Sequence, residues 1–393
     1  MKQYRLGDIA KIVSGSAAPK EGLFNKKYGL PFIRACHLEE LCNGLDINNL
    51  PKVEENLVKS IVKVPKDTII FAKSGMSCMK ARVYKTQDEA FIVSHLAGVI
   101  CSDIIESSYL KYYFQFNKPN RLVLDDSYPS IRLSDIADIK IEIPDKEIQI
   151  KTAHALDKAQ ELIDKRKDQI KALDELVKSK FIEMFGDPIN NPKGWEIKKL
   201  KDISTKILSG NTPKGGSEVY VDSGIMFFRS QNVWKNKLVL DDIAYIDKDT
   251  HNKMLKSSLK NRDILMTKTG RINTENSSLG RASMYLGEDD KANINGHVYL
   301  IRLKENILNE FVLFILTSKE YRGYIRSVCV GGIDKRQLNK EHIEDFPIIF
   351  PPIEQQKKFV AYVNQVDKLK FEMEKSLKEL EDNFNSLMQR AFK

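Results

Sequence analysis

Two long stretches decide the fold: EIQIKTAHALDKAQELIDKRKDQIKALDELVKSKFIEM at residues 147–184 and EQQKKFVAYVNQVDKLKFEMEKSLKELEDNFNSLMQRA at residues 354–391. Each carries a mostly apolar series with a step of seven residues, and neither contains a Pro or a Gly that would interrupt a helix. A heptad series lies along one seam of an α-helix, and that seam must be buried. The series are Gln149, Leu156, Ile163, Ile170, Val177 and Met184, then Gln356, Val363, Lys370, Leu377, Phe384 and Ala391, with a companion series at Phe359, Val366, Met373, Leu380 and Leu387.

The pairing of these helices follows from their repetition. A single heptad helix is typical of a helix-bundle core, but two matching helices, each closing one half of the chain, favour a coiled coil. A linker rich in Gly, Pro and Asn at residues 185–195 follows the first helix and is compatible with antiparallel packing. We therefore predict two long helices packed as an antiparallel coiled coil.

Short motifs recur in the same order in both halves of the chain, which indicates an internal duplication. Between them, alternating or continuous apolar segments predict short strands and turns, so each half is an α+β domain. An approximate two-fold repeat follows. The matching segments are residues 6–10 and 200–204, 14–19 and 209–213, 31–35 and 226–230, 67–75 and 263–270, 94–95 and 296–297, and 143–147 and 350–354.

Composition limits the class of protein. The 393 residues suffice for two or three domains, and no apolar run approaches the length of a membrane span. The N-terminus MKQYRLGDIAKIV lacks a signal-peptide core, and five cysteines without a CxxC pair indicate reduced thiols, so a cytoplasmic protein is predicted. The net charge of +9 divides into +3 for residues 1–186 and +6 for residues 187–393. This modest excess permits polyanion binding but does not establish it.

Catalytic signatures are missing from the sequence. There is no GxxxxGK[ST] phosphate loop, no GxSxG and no HExxH, and the six histidines lack metal-ligand spacing. The segment DPIN at residues 187–190 lacks the second Pro and the aromatic residue of an adenine methyltransferase motif. We predict a non-catalytic chain with no metal and no cofactor of its own.

Each half instead carries a set of loops that combine basic, amide and small residues next to predicted strands. Arg can read guanine, Asn and Gln can read adenine, and Lys, Ser and backbone amides bind phosphates. The candidate DNA-binding residues are Ser16, Lys20, Arg34, His37, Lys73, Ser74, Lys80, His95, Ser130 and Arg132 in the first half, and Asn211, Thr212, Lys214, Arg229, Gln231, Asn232, Lys268, Thr269, Arg271, His297, Lys335 and Arg336 in the second.

For any single one of these residues, a solvated turn is the simpler interpretation. Arg34 and Arg229 follow predicted strands at matching positions and are equally suited to structural ion pairs. His95 and His297 also match each other, although a lone His is more often structural. Taken together, the loops favour DNA contact, but no single residue in them does so on its own.

The chain resembles the specificity subunit of a type I restriction-modification system over essentially its full length. The resemblance rests on the duplicated order of the LxDI start, the SGxxP-like loop, the FxR strand, the segment ending in K-[ST]-G, and the PPIEQQ entry to a long helix. The second half keeps this entry intact at residues 351–356, whereas the first half lacks the second Pro at residues 144–149 and has one extra residue in its Ser14 loop.

The resemblance implies two target recognition domains, at residues 1–145 and 187–352, with a central spacer helix at 146–186 and a C-terminal one at 353–393. Each domain would read one half of a split, asymmetric site in double-stranded DNA, and the helices would set the gap. Two modification subunits would carry S-adenosylmethionine and methylate adenine, while restriction subunits would use ATP and Mg²⁺. No membrane is involved.

Two other functions are compatible with the residues alone. One is a two-headed scaffold that binds proteins, which the steep salt dependence of DNA binding would distinguish. The other is a fused restriction-methylation enzyme, against which the missing motifs argue.

Overall fold

The computed structural model describes residues 2–25, 27–58, 61–272, 274, 276–332 and 335–393. The chain divides into two compact units. Unit 1 comprises Met1–Ile170 and Glu372–Lys393, and unit 2 comprises Lys171–Phe371. Among the described residues, no helix is both long and apolar enough to cross a membrane.

Unit 1 contains short strands and helices followed by one long helix, as the alternation of its sequence predicts. The run Ile69–Ala72 is buried throughout and forms an inner strand, whereas Lys140–Ile143 alternates exposed and buried side chains. Its elements are β1 (Lys2–Arg5), α1 (Leu6–Ile9), β2 (Ala10–Ser14), β3 (Phe24–Asn25), β4 (Leu30–Ile33), α2 (Leu38–Cys42), β5 (Lys52–Val53), β6 (Lys63–Val64), β7 (Ile69–Ala72), α3 (Met76–Met79), β8 (Val83–Lys85), β9 (Ala90–Ile92), β10 (Leu96–Cys101), α4 (Ser107–Phe116), α5 (Leu133–Ala137), β11 (Lys140–Ile143) and the start of α6 (Lys146–Phe185).

Unit 2 repeats this plan with two additional hairpin-like pairings. Its elements after α6 are β12 (Ile197–Lys199), β13 (Ser204–Ser209), β14 (Tyr220–Val221), β15 (Ile225–Phe228), β16 (Val233–Trp234), β17 (Lys237–Leu238), β18 (Ala244–Ile246), α7 (Lys248–Lys253), β19 (Ile264–Thr267), β20 (Thr269–Gly270), β21 (Ala282–Met284), β22 (Ala292–Ile294), β23 (Val298–Leu303), α8 (Asn309–Thr317), α9 (Lys319–Val328), β24 (Val330–Gly331), β25 (Arg336–Gln337), α10 (Lys340–Glu344), β26 (Pro347–Ile349) and the first part of α11 (Ile353–Phe392), whose second part belongs to unit 1.

The sheet topology confirms the duplication. In unit 1 one sheet has the order β2-β10-β7-β8, and in unit 2 the order β13-β23-β19-β21 is the same arrangement. A second sheet contains β3-β5-β4-β9 in unit 1 and β14-β18-β15-β22 in unit 2, and each includes one parallel pair, β4 with β9 and β15 with β22. The pairs β1-β11 and β12-β26 close each repeat.

The two long helices run antiparallel inside each unit, as the heptads predict. In unit 1, Leu156 of α6 shares a buried cluster with Met388 of α11, and Lys167 pairs with Glu381 at 3.0 Å. In unit 2, Lys370 lies at a heptad position of α11, and its ammonium donates to Asp174 of α6 at 2.7 Å. In both units, residues further along α6 therefore contact residues nearer the start of α11, as antiparallel packing requires.

The predicted seam is correct for most of its length but wrong at the end of α11. Leu387 belongs to the companion series, yet its side chain is 37% exposed. The side chains that pack there are the buried Met388 and the half-buried Phe384 and Phe392, which contact the aromatic face of α4. Their step of four residues follows from the 3.6-residue turn, because a straight helix drifts away from a strict seven-residue repeat.

Aromatic side chains attach the end of α6 to the globular part of unit 2. Phe181 is buried, and its ring lies 4.8 Å from that of Phe314 and 5.3 Å from that of Phe359, measured between centroids. Phe185 packs on Phe311 at 5.1 Å. This cluster joins α6, α8 and α11 into one core.

We predict that Phe181→Ala lowers the free energy of unfolding of unit 2 by about 3–5 kcal/mol, because a large cavity opens in this cluster. Both tryptophans, Trp195 and Trp234, belong to unit 2, so urea unfolding followed by tryptophan fluorescence reports on it. The matched control is Phe371→Ala on α11, since Phe371 is 66% exposed and its loss should change the value by less than about 0.5 kcal/mol. Equal effects of the two substitutions would contradict the assigned core.

Candidate nucleic-acid interface

A glycine starts the first candidate loop in each unit, and the structure explains why. The Gly15 amide donates to the carbonyl of Leu96 at 3.1 Å, and the Gly210 amide donates to that of Val298 at 3.0 Å. A Cβ at Gly210 would lie 2.0 Å from the backbone oxygen of Ile294, and one at Gly15 would lie 2.2 Å from that of Val93. Only glycine allows the loop to cross the neighbouring strand end this closely.

The second candidate region of unit 1 brings four predicted residues together at the end of β7. The Lys73 amide donates to the His95 carbonyl at 2.9 Å, and the Lys73 carbonyl accepts from the amide of Ile131 at 2.7 Å. Ser74 pairs with Ser130 in an antiparallel bridge, and its hydroxyl lies 2.8 Å from Nδ1 of His95. Residues from three separate parts of the sequence therefore meet at one sheet end.

Unit 2 has the same arrangement at the end of β19. The Lys268 amide donates to the His297 carbonyl at 2.8 Å, and the Lys268 carbonyl accepts from the Leu338 amide at 2.9 Å. Thr269 pairs with Gln337 as Ser74 pairs with Ser130. The carbonyls of His95 and His297 thus accept equivalent backbone hydrogen bonds in the two units.

A cleft of about 430 Å³ opens beside this point in unit 2. Three predicted residues line it, namely Thr269, Arg271 and Lys335, together with Asn276 and Ser277. The side chains of Arg271 and Lys335 are exposed. Residues 333 and 334 of the predicted loop at 331–337 lie outside the described residues.

Arg34 and Arg229 occupy equivalent positions, and both guanidinium groups lie over an aromatic ring. Arg34 is 4.9 Å from the centroid of Phe24, and Arg229 is 5.7 Å from that of Tyr220. Arg229 also pairs with Asp242 at 3.0 Å. Hydrogen bonds from Gln231 and Arg229 lower the pKa of the Asp242 carboxyl. Arg229 and Gln231 are therefore engaged within the chain, which supports the structural ion-pair alternative for Arg229.

The side chains of His37 and Asn232 accept the same backbone hydrogen bond in the two units. Nδ1 of His37 accepts from the Arg34 amide at 3.2 Å, and Oδ1 of Asn232 accepts from the Arg229 amide at 2.9 Å. The Asn232 side chain is only 1% exposed and also donates to the carbonyls of Val239 and Asp242. In this conformation the Asn232 side chain is not available to a ligand.

The remaining predicted residues differ in how far their side chains are free to contact a ligand. Ser16 is half-buried, and its hydroxyl accepts from the Val62 amide at 2.9 Å, so it holds its loop in place. Arg336 is half-buried on β25, and its Nη1 donates to the Cys329 carbonyl at 3.5 Å. Six others are exposed at the same loops, namely Lys20, Lys80, Arg132, Asn211, Thr212 and Lys214.

Two exposed apolar side chains at the ends of the predicted loops, Met76 and Tyr128, lie beside the Ser74–Ser130 bridge but were not among the candidate residues. Met76 is 69% exposed and Tyr128 is 82% exposed. Both are residues that composition assigns to a core, so only their place on adjoining loops could have identified them. Among the described residues, no group of three or more His, Cys, Asp or Glu side chains is placed to hold a metal ion.

Comparison with known proteins now identifies the family. The family model described as "Type I restriction modification DNA specificity domain" matches residues 1–173 and 192–382, one copy for each repeat. The chain belongs to this family. The predicted identity as a specificity subunit of a type I restriction-modification system is confirmed.

Individual relatives of this specificity subunit agree with the assignment. The specificity subunit of the StySPI type I restriction enzyme of Salmonella potsdam is 23% identical and covers 97% of this chain and 85% of its own. The solved S subunit from M. genitalium has a TM-score of 0.57 at 14% identity, covering 100% of this chain and 96% of that one. A chain from a study of assembly and conformational transition of the type I R-M system has a TM-score of 0.61 at 17% identity, covering 100% and 97%. These structures share the fold predicted from the repeat.

The glycine turn of the specificity subunit gives a stability prediction. Gly210→Ala should lower the free energy of unfolding of unit 2 by roughly 1–3 kcal/mol, because the new Cβ meets the Ile294 carbonyl and the loop must shift. Gly323→Ala is the control in the same unit: a Cβ there meets nothing within 4 Å inside α9, so it should raise stability by roughly 0.5–1 kcal/mol. Tryptophan-monitored urea unfolding measures both, and destabilisation by both would contradict the steric explanation.

His37 gives a pH prediction for unit 1. Burial, reinforced by the charge of Arg34, lowers the pKa of His37 below its ordinary value of 6.5. The unfolded chain then binds the proton more readily, so the stabilisation is complete above pH 6.5 and is lost as pH falls from 6.5 towards the folded-state pKa.

We expect the protection of the amides at residues 34–37 against hydrogen exchange, corrected for intrinsic rates, to decrease over this acidic range. His37→Asn should remove the pH dependence and keep the turn, since Asn232 already performs the same task in unit 2. Unchanged pH dependence in His37→Asn would rule out His37 as its origin.

Proposed function

We propose that this specificity subunit reads a split, asymmetric site in double-stranded DNA, with one half-site bound by each globular domain. The supporting observation is that one loop framework occurs at the same strand ends in both units. The backbone hydrogen bonds made by Lys73 and Lys268 are equivalent. A fixed framework of this kind positions variable side chains, and base contacts by those side chains give the sequence preference.

The two frameworks carry different chemistry at matching positions. Ser74 and Ser130 of unit 1 correspond to Thr269 and Gln337 of unit 2, according to their strand pairings. Gln offers an amide that can bind adenine bidentately, which a Ser hydroxyl does not. Two different half-sites follow, so the complete site is not a palindrome.

The domain limits remain those of the sequence prediction. We propose target recognition domains at residues 1–145 and 187–352, a central spacer helix at residues 146–186 and a C-terminal spacer helix at residues 353–393. The two spacer helices set the length of the unread gap between half-sites.

Catalysis belongs to the partners in this proposal. Two modification subunits bind S-adenosylmethionine and methylate adenine, and restriction subunits use ATP and Mg²⁺ to translocate and cleave DNA. The specificity subunit contributes DNA recognition alone, and the complex works in the cytoplasm. The net charge of +9 favours approach to the polyanionic partner.

The test is methylation mapping of genomic DNA from cells that carry this gene with its modification partner and from a deletion strain. We expect one bipartite motif with adenine methylation and a fixed gap in the first strain and its absence in the second. Removing seven residues from each spacer helix should shorten the gap and leave the half-sites unchanged, because each domain keeps its loops.

A genome whose methylation is identical in both strains would overturn this function. The purified chain would then be tested as a protein-binding scaffold. In that case any affinity for DNA should lack the steep salt dependence of a complex that neutralises several phosphates.

A further inference from the structure

Two loop positions are equivalent in the units but carry opposite chemistry. In unit 1, the Gly75 amide donates to the Pro129 carbonyl at 2.9 Å, directly beside the Ser74–Ser130 bridge. In unit 2, Gly270 pairs with Arg336 in the same register. The residue after the glycine is Met76 in unit 1 and Arg271 in unit 2. The residue before Pro129 is Tyr128, and the residue before Arg336 is Lys335.

The unit 1 pair is unusual for a protein surface. Single exposed apolar side chains are ordinary, but Met76 and Tyr128 flank one backbone hydrogen bond, and both are more than two-thirds exposed. Leu124, in the segment leading to Tyr128, is exposed as well. Next to them lie the polar side chains of Ser74 and His95. An apolar surface with a polar border is typical of a contact site.

The unit 2 pair replaces this apolar surface with two cations. Arg271 and Lys335 line the same cleft, so their side chains reach one volume of space. Thr269 and Asn276 add hydroxyl and amide groups to its wall. The cleft therefore presents hydrogen-bond donors at the position where unit 1 presents a thioether and an aromatic ring.

Resting on the proposed function, we propose that these are the equivalent specificity-determining pairs of the two domains. Met76 and Tyr128 contact the 5-methyl group of a thymine in one half-site. Arg271 and Lys335 donate hydrogen bonds to N7 and O6 of a guanine in the other.

The chemistry of the major groove supports this division. The thymine methyl is the apolar group displayed there, whereas guanine displays two adjacent acceptors. Arg and Lys are the usual donors to those acceptors, and apolar side chains are the usual partners of the methyl. Phosphate binding is the competing role for Arg271 and Lys335, and it would not depend on the base.

The first experiment changes one group on one DNA base at a time and leaves the protein intact. The complex of this chain with its modification subunits is titrated with duplexes that carry the mapped motif, each thymine in turn replaced by uracil and each guanine by 7-deazaguanine. Loss of one contacted methyl should weaken binding about fourfold. Loss of one contacted N7 should weaken it at least about fivefold.

Two exchanged variants then assign each effect to its unit. Met76→Arg with Tyr128→Lys should no longer distinguish thymine from uracil, and Arg271→Met with Lys335→Tyr should no longer distinguish guanine from 7-deazaguanine. The double-mutant cycle identifies the base that each pair reads, so the half-sites need no prior assignment. Tyr28→Lys is the matched control, since Tyr28 is 68% exposed elsewhere in unit 1 and its replacement should leave both sensitivities unchanged.

The outcomes separate this inference from the function on which it rests. A strain without any bipartite methylated motif overturns the proposed function itself. A second outcome is a methylated bipartite motif together with wild-type binding that no uracil or 7-deazaguanine substitution weakens. That outcome overturns only the assignment of these pairs. Sensitivity that persists unchanged in the exchanged variants overturns it as well.

Discussion

Burial of the apolar faces of α6 and α11 is the constraint on which both units depend. The aromatic face of α4 in unit 1 is covered by Phe384, Met388 and Phe392, which come from the far end of the chain. In unit 2, the end of α6 supplies Phe181 and Phe185 to α8 in the same way. Neither repeat therefore completes its core from its own contiguous sequence. Because large aromatic side chains bury large areas, each domain gains stability from the helix of the other repeat.

The candidate loops of the two units differ in their side chains while their backbone framework agrees. The loops start from backbone hydrogen bonds and from glycine turns that contact strand ends, as at Gly15 and Gly210. These contacts involve main-chain atoms, so they hold with any side chain at the neighbouring positions. Met76 and Arg271 can then differ completely without altering the framework. Rigid elements with exchangeable loop side chains are the general solution for binding sites that must diversify.

The sequence predicted those features that repeat or alternate. The heptads gave both long helices, and the ordered motifs gave the duplication, because each is a local pattern with a definite period. The sequence did not show that Asn232 is engaged by Val239 and Asp242, since that depends on a turn closing over it. Nor did it reveal that the Gly75 amide donates to the Pro129 carbonyl, a pairing across more than fifty positions of sequence. Long-range pairing of short loops leaves no periodic signal.

Both long helices carry a glutamine at the first position of their heptad series, and its hydrogen bonds explain why this position is polar. Gln149 is buried, its Oε1 accepts from the Glu106 amide at 2.9 Å, and its Nε2 donates to the Ile104 and Pro144 carbonyls at 3.1 and 2.9 Å. Gln356 is also buried and donates to Pro351 at 2.8 Å. A buried amide stabilises less than an apolar side chain would, but its hydrogen bonds to main-chain atoms tie the start of the helix to the chain around it. Each glutamine binds the chain just before its own helix, so it fixes the direction in which that helix leaves its sheet.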